Sequence, residues 1–183
     1  HLINNNGHID NIKGTFAINK ADRGLIYNNE NATIDKIEGL FVDNSGYAVS
    51  NSGIIKSILA DFINGDGILN SYSGTITNIV GDFIGSNIDN YGTIDKIEGT
   101  FTNNTGNEHW DNLDAAIVNY HNVSSSNPTL IKLILADFIA NQGGGISNIY
   151  GGITDIIGSF IGNGGSCYRG GAISNVAYLN SLN

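Results

Sequence analysis

The sequence contains no methionine, one proline, one cysteine, one tryptophan and only eight lysines and arginines among 183 residues. Each scarcity excludes something. Cys167 has no second cysteine in the chain, so it is either a free thiol or one half of an intermolecular bridge. Eight scattered cations against 17 acids leave a formal net charge of −9, which does not neutralise a run of phosphates. Neither nucleic acid nor an anionic membrane surface is therefore an expected partner. No apolar run approaches the ~18 residues needed to cross a bilayer, and no segment has the form of a signal peptide. Charged residues stand at 14% but apolar residues at 40%, enough for a buried core rather than a disordered chain. With His1 in mid-repeat and no initiating methionine, the chain is expected to be a piece of something longer.

What the chain has in excess is asparagine (28 residues), isoleucine (29) and glycine (25). Much of this excess falls into a phrase, Ile-x-x-Ile-x-(Gly/Ala)-x-Phe, that occurs seven times with constant internal spacing. The copies end at Phe16, Phe41, Phe62, Phe83, Phe101, Phe138 and Phe160. Their starting isoleucines lie 25, 21, 21, 18, 37 and 22 residues apart. A phrase rigid inside and elastic between copies marks a repeat with a fixed core and variable surface loops. A second phrase, aliphatic-x-Asn, alternates with the first and ends at Asn5, Asn28, Asn51, Asn70, Asn90, Asn119, Asn148 and Asn175. Leu179-x-x-Leu182 starts a further copy that is cut off, so the array runs uncapped at both ends.

Glycine and β-branched isoleucine at this density disfavour helix, and no stretch sustains a 3.6-residue apolar period. Ile12, Gly14 and Phe16 instead alternate with the period of two expected on one face of a strand. The three-residue step from Ile9 to Ile12 breaks that period and calls for a corner at Asp10-Asn11. The expected fold is all-β, a right-handed parallel β-helix (β-solenoid) of about seven to eight coils with three short strands each. Residues 1–183 are read as a single domain, and seven coils at about 4.8 Å each give a rod roughly 35 Å long. The position two before each Phe is always Gly or Ala, attributed to the space a phenyl ring needs across a narrow interior. A buried asparagine left unpaired costs a few kcal/mol, so the repeated Asn reads as a ladder in which each amide donates to the next. An exposed turn asparagine is the alternative.

Several outward positions are apolar, including Leu59, Val80, Leu135 and Ile157, and a broad apolar sheet face implies a partner or a covering segment. Tyr72, Tyr91, Tyr120 and Tyr150 follow the ladder asparagines and form a column that either contacts a ligand or seals a corner. Asp61, Asp82 and Asp137 share one repeat position and read more simply as solvated acids than as a cation site. The longest insertions flank Asn119 and carry His109, Trp110, Tyr120 and His121, the candidate ligand-binding residues. Asn31, Asn103 and Asn122 begin glycosylation sequons. There is no nucleophile elbow, phosphate loop or metal-ligand spacing, and no basic residue adjoins an acidic cluster on neighbouring coils in a way that suggests a site. No catalysis, cofactor or metal is expected.

Phe-x-x-Asn occurs at Phe16-Asn19, Phe41-Asn44, Phe101-Asn104, Phe138-Asn141 and Phe160-Asn163, and Gly-Gly-Ala-Ile at Gly170–Ile173. This combination resembles the repeats of polymorphic membrane proteins and autotransporter-type adhesins of bacterial surfaces. Phe62 and Phe83 lack the following Asn, and this chain carries no translocator barrel. The resemblance implies an extracellular or cell-surface β-helical stalk, passenger or fibre subunit without a cofactor. The outward apolar residues and open solenoid ends make other protein chains the expected partners, together with host glycans or surface receptors. The alternative is a carbohydrate-binding or polysaccharide-degrading β-helix that uses the loops around Trp110.

Overall fold

The computed structural model describes residues 1–21, 24–105, 115–122, 126, 128–165 and 171–176. These residues form a parallel β-solenoid of about seven turns and contain no helix. In chain order the strands are β1 (Ile3–Asn5), β2 (His8–Ala17), β3 (Ile26–Asn28), β4 (Thr33–Val42), β5 (Val49–Asn51), β6 (Ile54–Asn70) and β7 (Thr75–Asn90). They continue as β8 (Thr93–Thr102), β9 (Ile117–Tyr120), β10 (Leu130–Ile139), β11 (Ile146–Ile149), β12 (Gly152–Ile157), β13 (Phe160–Ile161) and β14 (Ile173–Val176).

Each Ile-x-x-Ile-x-(Gly/Ala)-x-Phe phrase stacks on the next with every repeat position in line. Ile9 pairs with Ile34, Ile12 with Ile37 and Phe16 with Phe41, and the same pairs recur between later coils. The bend after Ile9 lies inside a continuous strand, where pairing skips one position, Asp10 against Asp35, and then resumes. In β6 and β7 the strand also continues past Phe62 and Phe83 to Asn70 and Asn90, so nearly a whole coil is one strand.

The files of isoleucine are buried between Ile34 and Ile134. All seven phenylalanines stack, with ring centroids 4.6–5.1 Å apart and planes within 13° of parallel. Phe41 to Phe138 are sealed, while Phe16 and Phe160, in the first and last of the seven stacked coils, are half-buried. The residue two past each Phe turns the chain with positive φ, from 50° at Asp43 to 62° at Gly162, including the non-glycines Ile18, Asn64, Asn103 and Ala140.

The small-residue column has a different cause from the one read in the sequence. At Gly39, Gly81, Gly99 and Gly158 an added Cβ would collide with the carbonyl oxygen of the coil beneath, not with a phenyl ring. Gly39 and Gly99 hold φ of +146° and +147°, which side chains rarely adopt. Close backbone approach, rather than room for Phe, selects glycine there.

Candidate functional site

The eight asparagines of the aliphatic-x-Asn phrases form one hydrogen-bonded file. Each Nδ2 donates to the Oδ1 of the next, from Asn5 to Asn28 through Asn148 to Asn175, at 2.7–2.9 Å. Most of these amides also donate to a backbone carbonyl of their own turn, as Asn90 does to Gly92 at 3.1 Å. A second file follows the phenylalanines. Asn19 donates to Asn44, Asn104 to Asn141 and Asn141 to Asn163, and Asn44, Asn141 and Asn163 each donate to the Phe carbonyl of the preceding coil. Gly65 and Ser86 interrupt it, with Ser86 Oγ donating to Gly65 O at 2.8 Å.

Four of these coils are covered on the outer side as well: Ser50, Asp89, Val118 and Ser147, outward residues between the aliphatic and the Asn, are buried, whereas Asn4 is exposed and Tyr27, Leu69 and Ser174 are half-buried. Asp89 accepts from Tyr47 Oη at 2.6 Å and from Asn87 Nδ2 at 2.9 Å. Burial first, and then the Asp89 charge, push the Tyr47 hydroxyl far above its ordinary range, and the same two causes raise Tyr91 to about 12. No sequence signal singled out Tyr47 or Asp89, because their burial depends on how the loops fold back.

The candidate loop residues His109 and Trp110 lie outside the described residues, as does Cys167. Tyr120 ends β9, and its ring meets Tyr91 edge-on at 5.8 Å; Tyr91 meets Tyr72 likewise at 5.3 Å. Thr129 Oγ1 donates to the Tyr91 carbonyl at 2.8 Å and lies 3.4 Å from His121 Nδ1. Tyr120 and His121 are thus half-buried parts of a stitched corner, with Tyr72 and Tyr150 more exposed beside them.

On the outer face of the long strands, Asp61 and Asp137 act on the backbone. The Asp82 N–H donates to Asp61 Oδ1 at 2.9 Å, and the Ser159 N–H donates to Asp137 Oδ1 at 2.8 Å. Both bonds fall where ladder pairing lapses beside Gly81 and Gly158. Apolar residues flank these acids, Leu59, Val80 and Leu135 on one side and Ile63, Ile84 and Ile139 on the other, with Glu98, Thr100 and Thr102 interrupting all three columns in the coil between Val80 and Leu135.

The corner after the first isoleucine brings charges together that the sequence reading kept apart. Lys56 Nζ lies 2.8 Å from Asp35 Oδ1, and Lys132 Nζ lies 2.8 Å from Asp95 Oδ1. Stacking in register puts basic and acidic corner residues on adjacent coils whatever the loop length between them. Lys56 is also the main reason that the Asp35 carboxyl titrates below its ordinary value. In the first two coils the corner differs, because His8 Nε2 stands 3.0 Å from Asp10 Oδ1 and 3.3 Å from Asp35 Oδ2. The signal was available in the alignment of repeats, where His8 takes a place held by Thr33, Thr75 and Thr93.

Comparison of this chain with family models, with curated proteins and with solved structures gives no match.

Proposed function

We propose that this chain is a non-catalytic structural or adhesive segment of a bacterial surface protein: a stalk, passenger or fibre subunit outside the cell. One observation carries the reading. The asparagine file and the phenylalanine stack run without interruption along the axis, so what the repeat builds is length and stiffness. The acids that looked most available for chemistry, Asp61 and Asp137, are engaged in holding backbone. The resemblance of the Phe-x-x-Asn and Gly-Gly-Ala-Ile elements to surface-protein repeats supplies the location. Electron microscopy and fractionation of the native material test the proposal. Rods or fibres of uniform width in the surface or secreted fraction are expected; compact particles confined to the cell interior would sink it.

A partner packed on the outer face of the long strands would have to complement it, with apolar groups against Leu59, Ile63 and Ile84 and basic groups against Asp61 and Asp82. Two copies meeting face to face would set the Asp61, Asp82 and Asp137 column against itself, at a repulsive cost. Asp82→Lys is expected to weaken capture of such a partner, and unchanged binding would argue against this face.

A second reading is favoured by the continuous edge of Tyr72, Tyr91 and Tyr120, which offers aromatic surface to a glycan. A glycan array decides it: binding that disappears in both Tyr72→Ala and Trp110→Ala supports a carbohydrate site, and an empty array removes it.

A further inference from the structure

We propose that His8, Asp10 and Asp35 form a binding site for zinc or a similar borderline divalent metal ion, clamping the first coil to the second. His8 and Asp10 are two apart on β2, and Asp35 occupies the place of Asp10 one coil on. Strand alternation and the ~4.8 Å step between coils therefore converge three side chains on one point. Their ligand atoms all lie within 4.8 Å of one another, with His8 Nε2 at 3.0 and 3.3 Å from the two carboxylates. Donors around a tetrahedral zinc, bonded at 2.0–2.2 Å, are about 3.4 Å apart, so the ion fits between them with little movement.

The electrostatics point the same way. Like charges stacked directly across strands are destabilising. This corner column pairs opposite charges at Asp35–Lys56 and at Asp95–Lys132, yet it stacks Asp10 on Asp35. With an unprotonated Nε2, three lone pairs face one another, and a proton or a metal ion between them resolves the conflict. Lys56 holds Asp35 Oδ1 at 2.8 Å and leaves Oδ2 turned toward His8, the kind of outer contact that orients a metal-ligating carboxylate. One imidazole and two carboxylates suit zinc better than calcium, which prefers oxygen alone. All three side chains retain solvent access, so an ion has an entry path.

Calorimetric titration of the whole chain with zinc chloride tests the site, with circular dichroism confirming that each variant folds. One saturable event is expected, accompanied by a higher melting temperature. His8→Gln and Asp10→Asn, both at well-exposed side chains, should each weaken binding by at least tenfold, about the loss that even an outer-shell contact produces. Unchanged affinity in both variants, or loss in His1→Ala alone, would overturn the assignment by moving the ion to the amino terminus. Calcium binding as tightly as zinc would overturn it too, by removing the role of the imidazole.

Discussion

The asparagines of the aliphatic-x-Asn phrases run as eight unbroken rungs from Asn5 to Asn175, whereas those behind the phenylalanines stop at Asn44 and resume at Asn104. The gap is not a defect. In the two coils that lack the second asparagine, the chain passes from Phe62 to Asn70 and from Phe83 to Asn90 as uninterrupted strand. Backbone pairing such as Gly65 with Ser86 supports the turn there. Where the chain leaves the sheet on a longer excursion, as after Phe16 and Phe101, an amide from the next coil caps the freed carbonyl and N–H groups, and Asn104 does the same for Phe83 O and the Ser86 N–H. In the first file the amides from Asn28 to Asn119 are all fully buried, so each of those coils needs its own paired amide at the bend. A file lapses only where other pairing takes over its hydrogen bonds, as between Gly65 and Ser86.

The sharpest way to break that contrast is Asn90→Leu. The side chain is fully buried and accepts from Asn70 while donating to Asn119, so its loss orphans groups on both neighbouring coils. A destabilisation of about 3 kcal/mol or more is expected in denaturant titration, from two or more unsatisfied groups. Asn44→Leu should cost less, about 1–2 kcal/mol, since Asn44 has only one asparagine neighbour in its file and the first coil beyond it. Equal losses at the two positions would refute the distinction drawn between them.

Alkaline pH probes the burial of Tyr47 and Tyr91 beside Asp89. The Tyr91 hydroxyl titrates near 12 in the folded chain against an ordinary value of 10.0, and Tyr47 lies higher still. Their neutral forms are therefore favoured by folding. The stability this confers is complete below about pH 10 and drains away as pH rises toward 12. Denaturation midpoints should fall over that window, and Tyr91→Phe should flatten the fall; an unaltered pH profile in the variant would contradict the burial argument.

The smallest effect belongs to the turn that both kinds of coil share. Ile18 is β-branched, 83% exposed and held at φ 55°, while Asn64 and Asn103 occupy the same place in other coils. Ile18→Asn is expected to raise stability by about 0.5–1 kcal/mol by relieving that backbone cost, measurable as a shift in thermal midpoint.

The isoleucine and phenylalanine files were legible because the spacing inside each phrase never varies, and a period of two on a strand puts those side chains on one face. The corner at Asp10-Asn11 was legible for the same reason, as an odd step in an even pattern. The glycine column was visible but its cause was misread, since a collision between a Cβ and a carbonyl one coil away leaves no mark in local sequence. His8 was passed over because a histidine gains meaning only when Asp10 and Asp35 are brought to it by stacking.

By itself the sequence determined the winding: identical phrases, free to slide only by whole repeats, pair in one register because any other buries asparagine against isoleucine. Tertiary structure alone decided which outward residues became a second interior, as at Asp89 and Ser50. It also decided which charges met across coils, as at His8, Asp10 and Asp35. Those outcomes depend on where loops of unequal length return, and the repeat places no constraint on that.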